Sequence, residues 1–77
     1  MNSSEIMELD QKHVANTYAR FPVALTIGRG AELFDADGKR YIDLGCGIGV
    51  SAFGSCDDLW CKAVSEQAAK LQHTSNL

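Results

Sequence analysis

The apolar pattern at the start of the chain predicts a helix that is packed against by other parts of the structure. We expect the helix to begin near Ser3 and to run to about Thr17, because Asn2 is a good N-cap with Glu5 three residues later. Its apolar positions form only a rough stripe: Ile6, Leu9 and Val14, blurred by Met7 and Ala15. The segment closes at Phe21-Pro22, because proline pushes the preceding residue towards extended geometry.

The apolar period then changes from helical spacing to two, which predicts three short strands. The first has Val23, Leu25 and Ile27 on one face. The glycines at Gly28 and Gly30 permit a bulge or turn, and a second strand is expected from Ala31 to Asp35. Asp37-Gly38 supplies a tight hairpin, and the third strand is expected from Tyr41 to Leu44, with Ile42 and Leu44 sharing one face. The pattern therefore predicts an antiparallel three-stranded meander.

A second helix is the most strongly patterned element of the chain. Ser55 with Asp58 three residues later indicates a capped start. The apolar positions recur at three and four and predict a buried stripe: Leu59, Trp60, Ala63, Val64, Ala68 and Leu71. The fold class is therefore α+β: an N-terminal helix, a three-stranded antiparallel β-meander and a C-terminal amphipathic helix, in one small domain over residues 1–77.

Composition narrows the possible partners and compartments. Seventy-seven residues with a net charge of −3 provide no basic face for nucleic acid, and such a short chain is expected to be only marginally stable. The apolar runs are far shorter than the ~20 residues of a membrane span, so no membrane is expected. With no apolar signal region at its start, the chain is expected to be cytoplasmic.

The run "DLGCGIG" from Asp43 to Gly49 admits a nucleotide-type interpretation. It resembles the first motif of S-adenosylmethionine-dependent methyltransferases, in which a strand delivers an acid and glycines let the backbone approach the cofactor. That motif requires a parallel strand and a helix that begins at the glycines. Here a hairpin precedes Tyr41 and Phe53-Gly54-Ser55 delays the helix, so the methyltransferase is the weaker alternative.

Other site chemistries receive little support from the residue spacing. Asp35 and Asp37 suggest a calcium loop, but Cys46 stands where the twelfth-position glutamate would be needed. Cys46, Cys56 and Cys61 contain no C-x-x-C pair for zinc, so free thiols are expected. A cysteine–histidine nucleophile pair with His13 or His73 has no local support. No metal site is therefore predicted.

Two longer stretches carry a family resemblance. Together, "NTYARFPVALTIGRGAELFDADGKRYIDLGCGIGV" and "EQAAKLQHTSNL" resemble the N-terminal part of the class III pyridoxal-phosphate aminotransferases, most closely the acetylornithine aminotransferases. The likeness runs from about Val14 to Leu77. It implies the N-terminal segment of a fold-type I enzyme that moves an amino group between acetylornithine and 2-oxoglutarate in arginine biosynthesis. The partners it implies are the remainder of the aminotransferase chain and, in the full-length parent, a homodimer partner.

The resemblance also implies three substrate-binding residues. Tyr18 takes a position that meets the substrate's amino group in ornithine-type relatives; packing beneath the meander is the structural alternative. Gly47 and Ile48 correspond to a loop that borders the substrate pocket, where the alternative is a simple bend after a strand. In the same family a His-x-His-Pro stretch usually follows the position of Gly54, whereas this chain has Ser55-Cys56-Asp57-Asp58. The family's two histidines and its proline therefore have no counterparts at these positions.

The cofactor chemistry of that family needs groups that this chain does not match. Transamination requires a lysine that binds pyridoxal phosphate covalently, an acid against its pyridine nitrogen and donors for its phosphate. In the family these lie beyond the matched region, and Lys12, Lys39, Lys62 and Lys70 have none of those contexts. The chain alone is therefore predicted to be inactive and to bind no cofactor. The alternative is a non-catalytic module that folds and self-associates through apolar faces.

Overall fold

The computed structural model describes every residue from Met1 to Leu77. The elements follow in the order α1 (Ser3–His13), β1 (Leu25–Arg29), β2 (Glu32–Asp35), β3 (Arg40–Ile42), α2 (Cys46–Gly49) and α3 (Asp58–Ala68). The three strands form one antiparallel sheet in the order β1-β2-β3, which confirms the predicted meander. An antiparallel third strand does not provide the parallel strand that a methyltransferase motif needs.

Helix α1 begins where the sequence predicts and ends earlier. The Asn2 side chain accepts from the Glu5 amide at 2.9 Å and the Glu5 carboxylate accepts from the Asn2 amide at 3.2 Å, a complete capping box. The helix ends at His13 rather than near Thr17, because Val14 is already extended. Asn, Thr and Val are poor helix formers, so the sequence after His13 favours this early end.

The start of α1 is tied to the hairpin between β2 and β3. The Ser3 amide donates to Oδ1 of Asp37 at 3.1 Å, so that a carboxylate lies at the positive end of the helix dipole. Ser3 is one of only two buried residues in the chain. Because Asp37 is 34 residues away along the chain, this contact positions α1 against the turn of the meander.

Strand β1 differs from the prediction in its bounds and in the position of its irregularity. It starts at Leu25 rather than Val23, and the register shift lies between Leu25 and Ile27 rather than at the glycines. Gly28 lies inside the strand, where a Cβ would be only 2.8 Å from the Cβ of Ser55. The glycine therefore permits close packing of the Ser55 segment, while the turn into β2 follows at Gly30.

The hairpin at Asp37-Gly38 forms as predicted. Gly38 has φ of 88° and its amide donates to the Asp35 carbonyl at 3.0 Å. Strand β3 is shorter than expected and ends at Ile42, so Leu44, predicted as its last residue, lies outside the sheet and is 90% exposed. Leu44 follows Asp43, whose side chain already bonds to the next turn of backbone.

Helix α3 differs from the prediction in its N-cap and in the burial of its apolar stripe. Its N-cap is Asp57, whose Oδ2 accepts from the Trp60 amide at 3.0 Å, and not Ser55. Its apolar stripe was predicted to be buried, but α3 has no buried residue, and Leu59 and Trp60 are 79% and 53% exposed. No helix of the structure combines the length and apolarity needed to cross a membrane.

Little of the chain is sheltered from solvent. Ala24 is the only buried apolar residue. The accessible surface is 6805 Å², whereas a compact protein of this mass exposes about 4,600 Å². The radius of gyration is 15.6 Å, against about 11.5 Å for a compact chain of this length. The elements are therefore arranged without a core of their own, and much apolar surface is exposed.

Candidate functional site

The first predicted site residue, Tyr18, lies in the irregular segment between α1 and β1. This segment and one face of α1 enclose a groove of about 510 Å³. Tyr18 is 72% exposed. It lines the groove together with Phe21 and Arg20. An aromatic hydroxyl is thus presented at an open groove and is not packed beneath the meander.

Arg20 holds this segment to α1 and lies beside Tyr18. Its guanidinium carbon is 5.7 Å from the centre of the Tyr18 ring, within cation–π range. Its Nη1 is 3.7 Å from Oδ2 of Asp10 in α1. The guanidinium of Arg20 therefore lies between Asp10 and Tyr18, over one face of the tyrosine ring. Arg20 was not among the predicted site residues, because no local spacing signals its approach to Asp10.

The other two predicted site residues, Gly47 and Ile48, lie in the single turn α2; the resemblance predicts a pocket-bordering loop here, with a simple bend after a strand as the alternative. Gly47 has φ of 59° and ψ of 40°, and Ile48 has φ of 59° and ψ of 49°. This left-handed backbone is strained for a β-branched residue such as isoleucine. The Ile48 side chain is fully exposed. Such strained, presented residues are concentrated at functional sites.

The structure does not bring all three predicted site residues together. Tyr18 lines the groove along α1, whereas Gly47 and Ile48 follow β3 and are absent from that lining. The chain therefore offers two separate surface features, the Tyr18 groove and the left-handed loop Cys46–Gly49. Their predicted contact with one substrate stays a prediction.

The stretch Ser55-Cys56-Asp57-Asp58 at the start of α3 makes structural contacts. Gly30 and Ser55 exchange two backbone hydrogen bonds, of 2.9 and 2.8 Å, so this segment adds to the end of β1. Arg29 donates to both carboxylate oxygens of Asp58, at 2.9 and 3.3 Å, and to the carbonyl of Cys56 at 3.0 Å. The four residues thus join α3 to the sheet.

This ion pair shifts the protonation of both partners. The hydrogen bond from Arg29, followed by its charge, holds the pKa of Asp58 below the usual aspartate value. The same hydrogen bond and charge raise the pKa of Arg29. Both side chains are largely exposed, so the pair orients α3 more than it stabilises the fold. The sequence gives no signal for a contact between residues so far apart.

Asp35 organises the hairpin between β2 and β3. Its Oδ1 accepts from the amides of Asp37 and Lys39, both at 2.9 Å, and its Oδ2 accepts from the Tyr41 hydroxyl at 3.0 Å. The hydrogen bond from Lys39 is the main reason that the pKa of Asp35 is lowered. Burial, followed by the bond to Asp35, raises the pKa of Tyr41. The Oδ1 bonds fix the turn and the Oδ2 bond reaches Tyr41 in β3, so Asp35 is a structural residue.

The residues present do not fit pyridoxal phosphate. All four lysines are exposed, Lys39 lies over the Tyr41 ring at 5.3 Å, and Lys62 faces Glu66 at 4.0 Å. None of them lines the Tyr18 groove. All three cysteines are free, and no group of three or more His, Cys, Asp or Glu side chains is placed to hold a metal ion.

Curated relatives match this chain along nearly its whole length. The acetylornithine aminotransferase of Haemophilus ducreyi is 48% identical over 77 residues, which is all of this chain and 20% of that relative. Acetylornithine aminotransferase 1 of Bordetella pertussis is 52% identical over 64 residues, 83% of this chain and 16% of that relative. The chain thus spans about one fifth of the length of the relatives it matches.

Solved structures and a family model agree with these relatives. The acetylornithine aminotransferase of Elizabethkingia anophelis superposes with a TM-score of 0.89 at 36% identity, over 97% of this chain and 19% of that one. The ornithine δ-aminotransferase of Plasmodium falciparum gives 0.89 at 28% identity, over 99% and 20%. The arrangement of α1, the meander and α3 is therefore the N-terminal part of an aminotransferase fold. The family model described as aminotransferase class-III matches residues 13–77, so the chain belongs to the class-III aminotransferase family.

Proposed function

We propose that this chain is the N-terminal segment of a cytoplasmic, pyridoxal-phosphate-dependent aminotransferase of arginine biosynthesis. The reaction would transfer the amino group of acetylornithine to 2-oxoglutarate. The observation that carries the proposal is the 48% identity to an acetylornithine aminotransferase across all 77 residues. Several other relatives of the same name, from bacteria, archaea and a plant, match most of the chain.

In this proposal the segment shapes the substrate pocket and leaves the chemistry to the remainder of the parent. Tyr18 contributes a phenol that can hydrogen-bond to a substrate amino group, and its open groove gives a ligand access to it. Gly47 and Ile48 contribute close backbone approach and an exposed apolar side chain at the pocket border. The chain alone is inactive, because its exposed lysines cannot supply the enclosed amine that pyridoxal phosphate chemistry needs.

The partner of the segment is the rest of the aminotransferase, with a second copy of the parent completing a homodimer. The surplus of exposed surface, about 2,200 Å² over that of a compact protein of equal mass, supports this partnership. An area of this size is typical of obligate interfaces and exceeds most crystal contacts. The exposed stripe of α3, including Trp60 and Val64, supplies part of the apolar area.

A chimeric enzyme tests the proposal. We define it as the Haemophilus ducreyi acetylornithine aminotransferase in which the segment matched by this chain is replaced by residues 1–77. The expected result is transfer from acetylornithine to 2-oxoglutarate, with a higher kcat/KM for acetylornithine than for ornithine or 4-aminobutyrate. A folded, cofactor-loaded chimera that is inactive on every ω-amino substrate would contradict the proposal. The 77-residue chain alone, mixed with pyridoxal phosphate, is the matched inactive control.

The exposed apolar surface also favours a second candidate, a non-catalytic module that self-associates. Eighteen large apolar side chains are exposed, and the exposed positions include both the sheet and α3. Light scattering of the 77-residue chain at several concentrations separates the two. A defined oligomer with cooperative unfolding would favour the self-associating module. A monomer whose backbone amides become protected from exchange only within the chimeric enzyme would favour the aminotransferase segment.

A further inference from the structure

The left-handed loop Cys46–Gly49 is held in an unfavourable conformation by interactions outside itself. Its four residues have φ of 49°, 59°, 59° and 79°. Two of them, Cys46 and Ile48, are not glycine, and left-handed backbone is unfavourable for L-residues with a side chain. Ile48 is fully exposed, so packing of its side chain within this chain does not fix it. Such a conformation persists only where surrounding contacts determine it.

The Asp43 carboxylate is the side chain that supplies those contacts. Its Oδ1 accepts from the Gly45 amide and from the Cys46 amide, both at 3.0 Å. Both bonds to the entry of the loop therefore depend on one oxygen atom. The backbone of Asp43 is fixed in turn, because its amide donates to the Ala31 carbonyl at 2.8 Å. A continuous chain of hydrogen bonds thus leads from Ala31, in the turn between β1 and β2, through Asp43 to the loop.

Backbone bonds complete the loop after this entry. The Ile48 amide donates to the Gly45 carbonyl at 2.9 Å, and the Ser51 amide donates to the Cys46 carbonyl at 2.8 Å. Both of these acceptors belong to the residues whose amides Asp43 holds. Loss of the carboxylate would therefore leave Gly45 and Cys46, which hold the backbone around Ile48, without their side-chain acceptor. The hydrogen bonds between the strands of the sheet would stay intact.

We propose that Asp43 is a positioning residue that sets the place of Ile48 at the substrate pocket, an inference that rests on the proposed function. The carboxylate touches no reacting atom and acts through the loop. Because a single acceptor oxygen makes both bonds, an amide oxygen can replace it. Asp43→Asn is therefore expected to retain the loop, whereas Asp43→Ala removes both bonds.

The matched control is Asp35, a carboxylate that also accepts hydrogen bonds from two backbone amides but lies away from the loop Cys46–Gly49. Both amides donate to one oxygen, and the bonds serve the β2–β3 hairpin. In the chimeric enzyme, Asp43→Ala is expected to raise KM for acetylornithine about tenfold, with Asp43→Asn within about threefold of the parent. Asp35→Ala is expected to leave KM within about twofold while lowering thermal stability.

A double-mutant cycle decides whether Asp43 acts through Ile48. If it does, Asp43→Ala has little further effect on KM once Ile48→Ala is present, because the side chain that it positions is gone. An equal effect of Asp43→Ala with and without Ile48→Ala would overturn the inference. So would an unchanged KM in Asp43→Ala, or an Asp43→Asn variant as impaired as Asp43→Ala.

Amide exchange separates failure of this inference from failure of the proposed function. If the unmodified chimera is folded but inactive, the aminotransferase proposal fails, and the positioning of the loop is then judged by exchange alone. The Gly45 and Cys46 amides are expected to lose protection in Asp43→Ala and to keep it in Asp43→Asn. Unchanged protection in Asp43→Ala would overturn the positioning role whatever the activity.

Discussion

The β-meander and helix α3 are held in the chain by different means. The meander has an antiparallel ladder and the Asp35 network, whose partners lie two to six residues away along the chain. Helix α3 is tied to the sheet at its first turn by Arg29, 27 to 29 residues distant, and has no buried residue. The meander is therefore specified locally, whereas α3 is joined to the sheet at one end and is otherwise exposed.

The largest expected effect is the loss of α3 in the isolated chain. The helix has 11 residues, and isolated helices shorter than about 12–15 residues are marginal in water. NMR chemical shifts of the 77-residue chain should show little helix over Asp58–Ala68, with slower amide exchange in β1 to β3. In the chimeric enzyme α3 should be protected. A stable α3 in the isolated monomer would show that the helix needs no cover.

The junction between sheet and helix should be sensitive to Gly54. This residue has φ of 79°, and a Cβ there would lie 3.0 Å from the Cα of Gly30. Gly54→Ala is expected to cost about 2 kcal/mol, from left-handed strain and the backbone contact together. Gly38→Ala is the control, because its φ is 88° but its Cβ would meet open space, which leaves strain of about 1 kcal/mol.

Urea unfolding of the chimeric enzyme, followed by exchange at Gly30 and Ser55, measures both glycine variants. Equal losses in Gly54→Ala and Gly38→Ala would mean that the approach of the two backbones adds nothing. A larger loss at Gly54 would confirm that this close approach, and not turn geometry alone, joins the two regions.

A smaller effect distinguishes the observed cap of α3 from the one that the sequence suggested. Asp57→Ala should lower the stability of α3 by about 1 kcal/mol, because the Trp60 amide loses its acceptor. Ser55→Ala should have a much weaker effect, since Ser55 contributes backbone bonds that alanine keeps. Exchange at Trp60 in the chimeric enzyme is the measurement, and a greater loss in Ser55→Ala would contradict the assignment.

Local signals explain which parts of the fold were predictable. The capping box at Asn2 and Glu5 and the Asp37-Gly38 hairpin depend on residues a few positions apart, so the sequence located both correctly. The end of α1 was placed too late because an apolar residue, Val14, extended the pattern although it favours extended backbone. The prediction that the apolar stripe of α3 is buried was wrong, since no residue of α3 is buried. Apolar periodicity indicates which face of a helix can pack but not which other residues cover it.

The residues of the candidate site also differ in whether a local sequence signal pointed to them. The motif order led to Tyr18, Gly47 and Ile48 through resemblance, and their roles stay predictions. The part played by Asp43 had a local signal, an aspartate two residues before a glycine, which is typical of side chains that accept from nearby amides. The Arg29–Asp58 and Arg20–Asp10 pairs had none, since charged residues at long separation can pair in many ways.

The smallest effect concerns pH and salt, and it separates the two regions by the kind of bond that each carboxylate makes. The folded-state pKa values of Asp35 and Asp58 are both lowered, so each contributes stability above the usual aspartate pKa that is lost as the pH falls through its folded value. Salt at about 1 M, where the Debye length is about 3 Å, should weaken the exposed Arg29–Asp58 pair. The lowered pKa of Asp35 comes mainly from an amide bond with no mobile counter-charge, and the charge of Lys39 is the smallest of its causes. Carboxyl ¹³C titrations should therefore show the pKa of Asp58 rising towards normal in high salt while that of Asp35 changes little. Equal salt shifts at both residues would mean that the hairpin, like the α3 junction, depends on charge rather than on local hydrogen bonds.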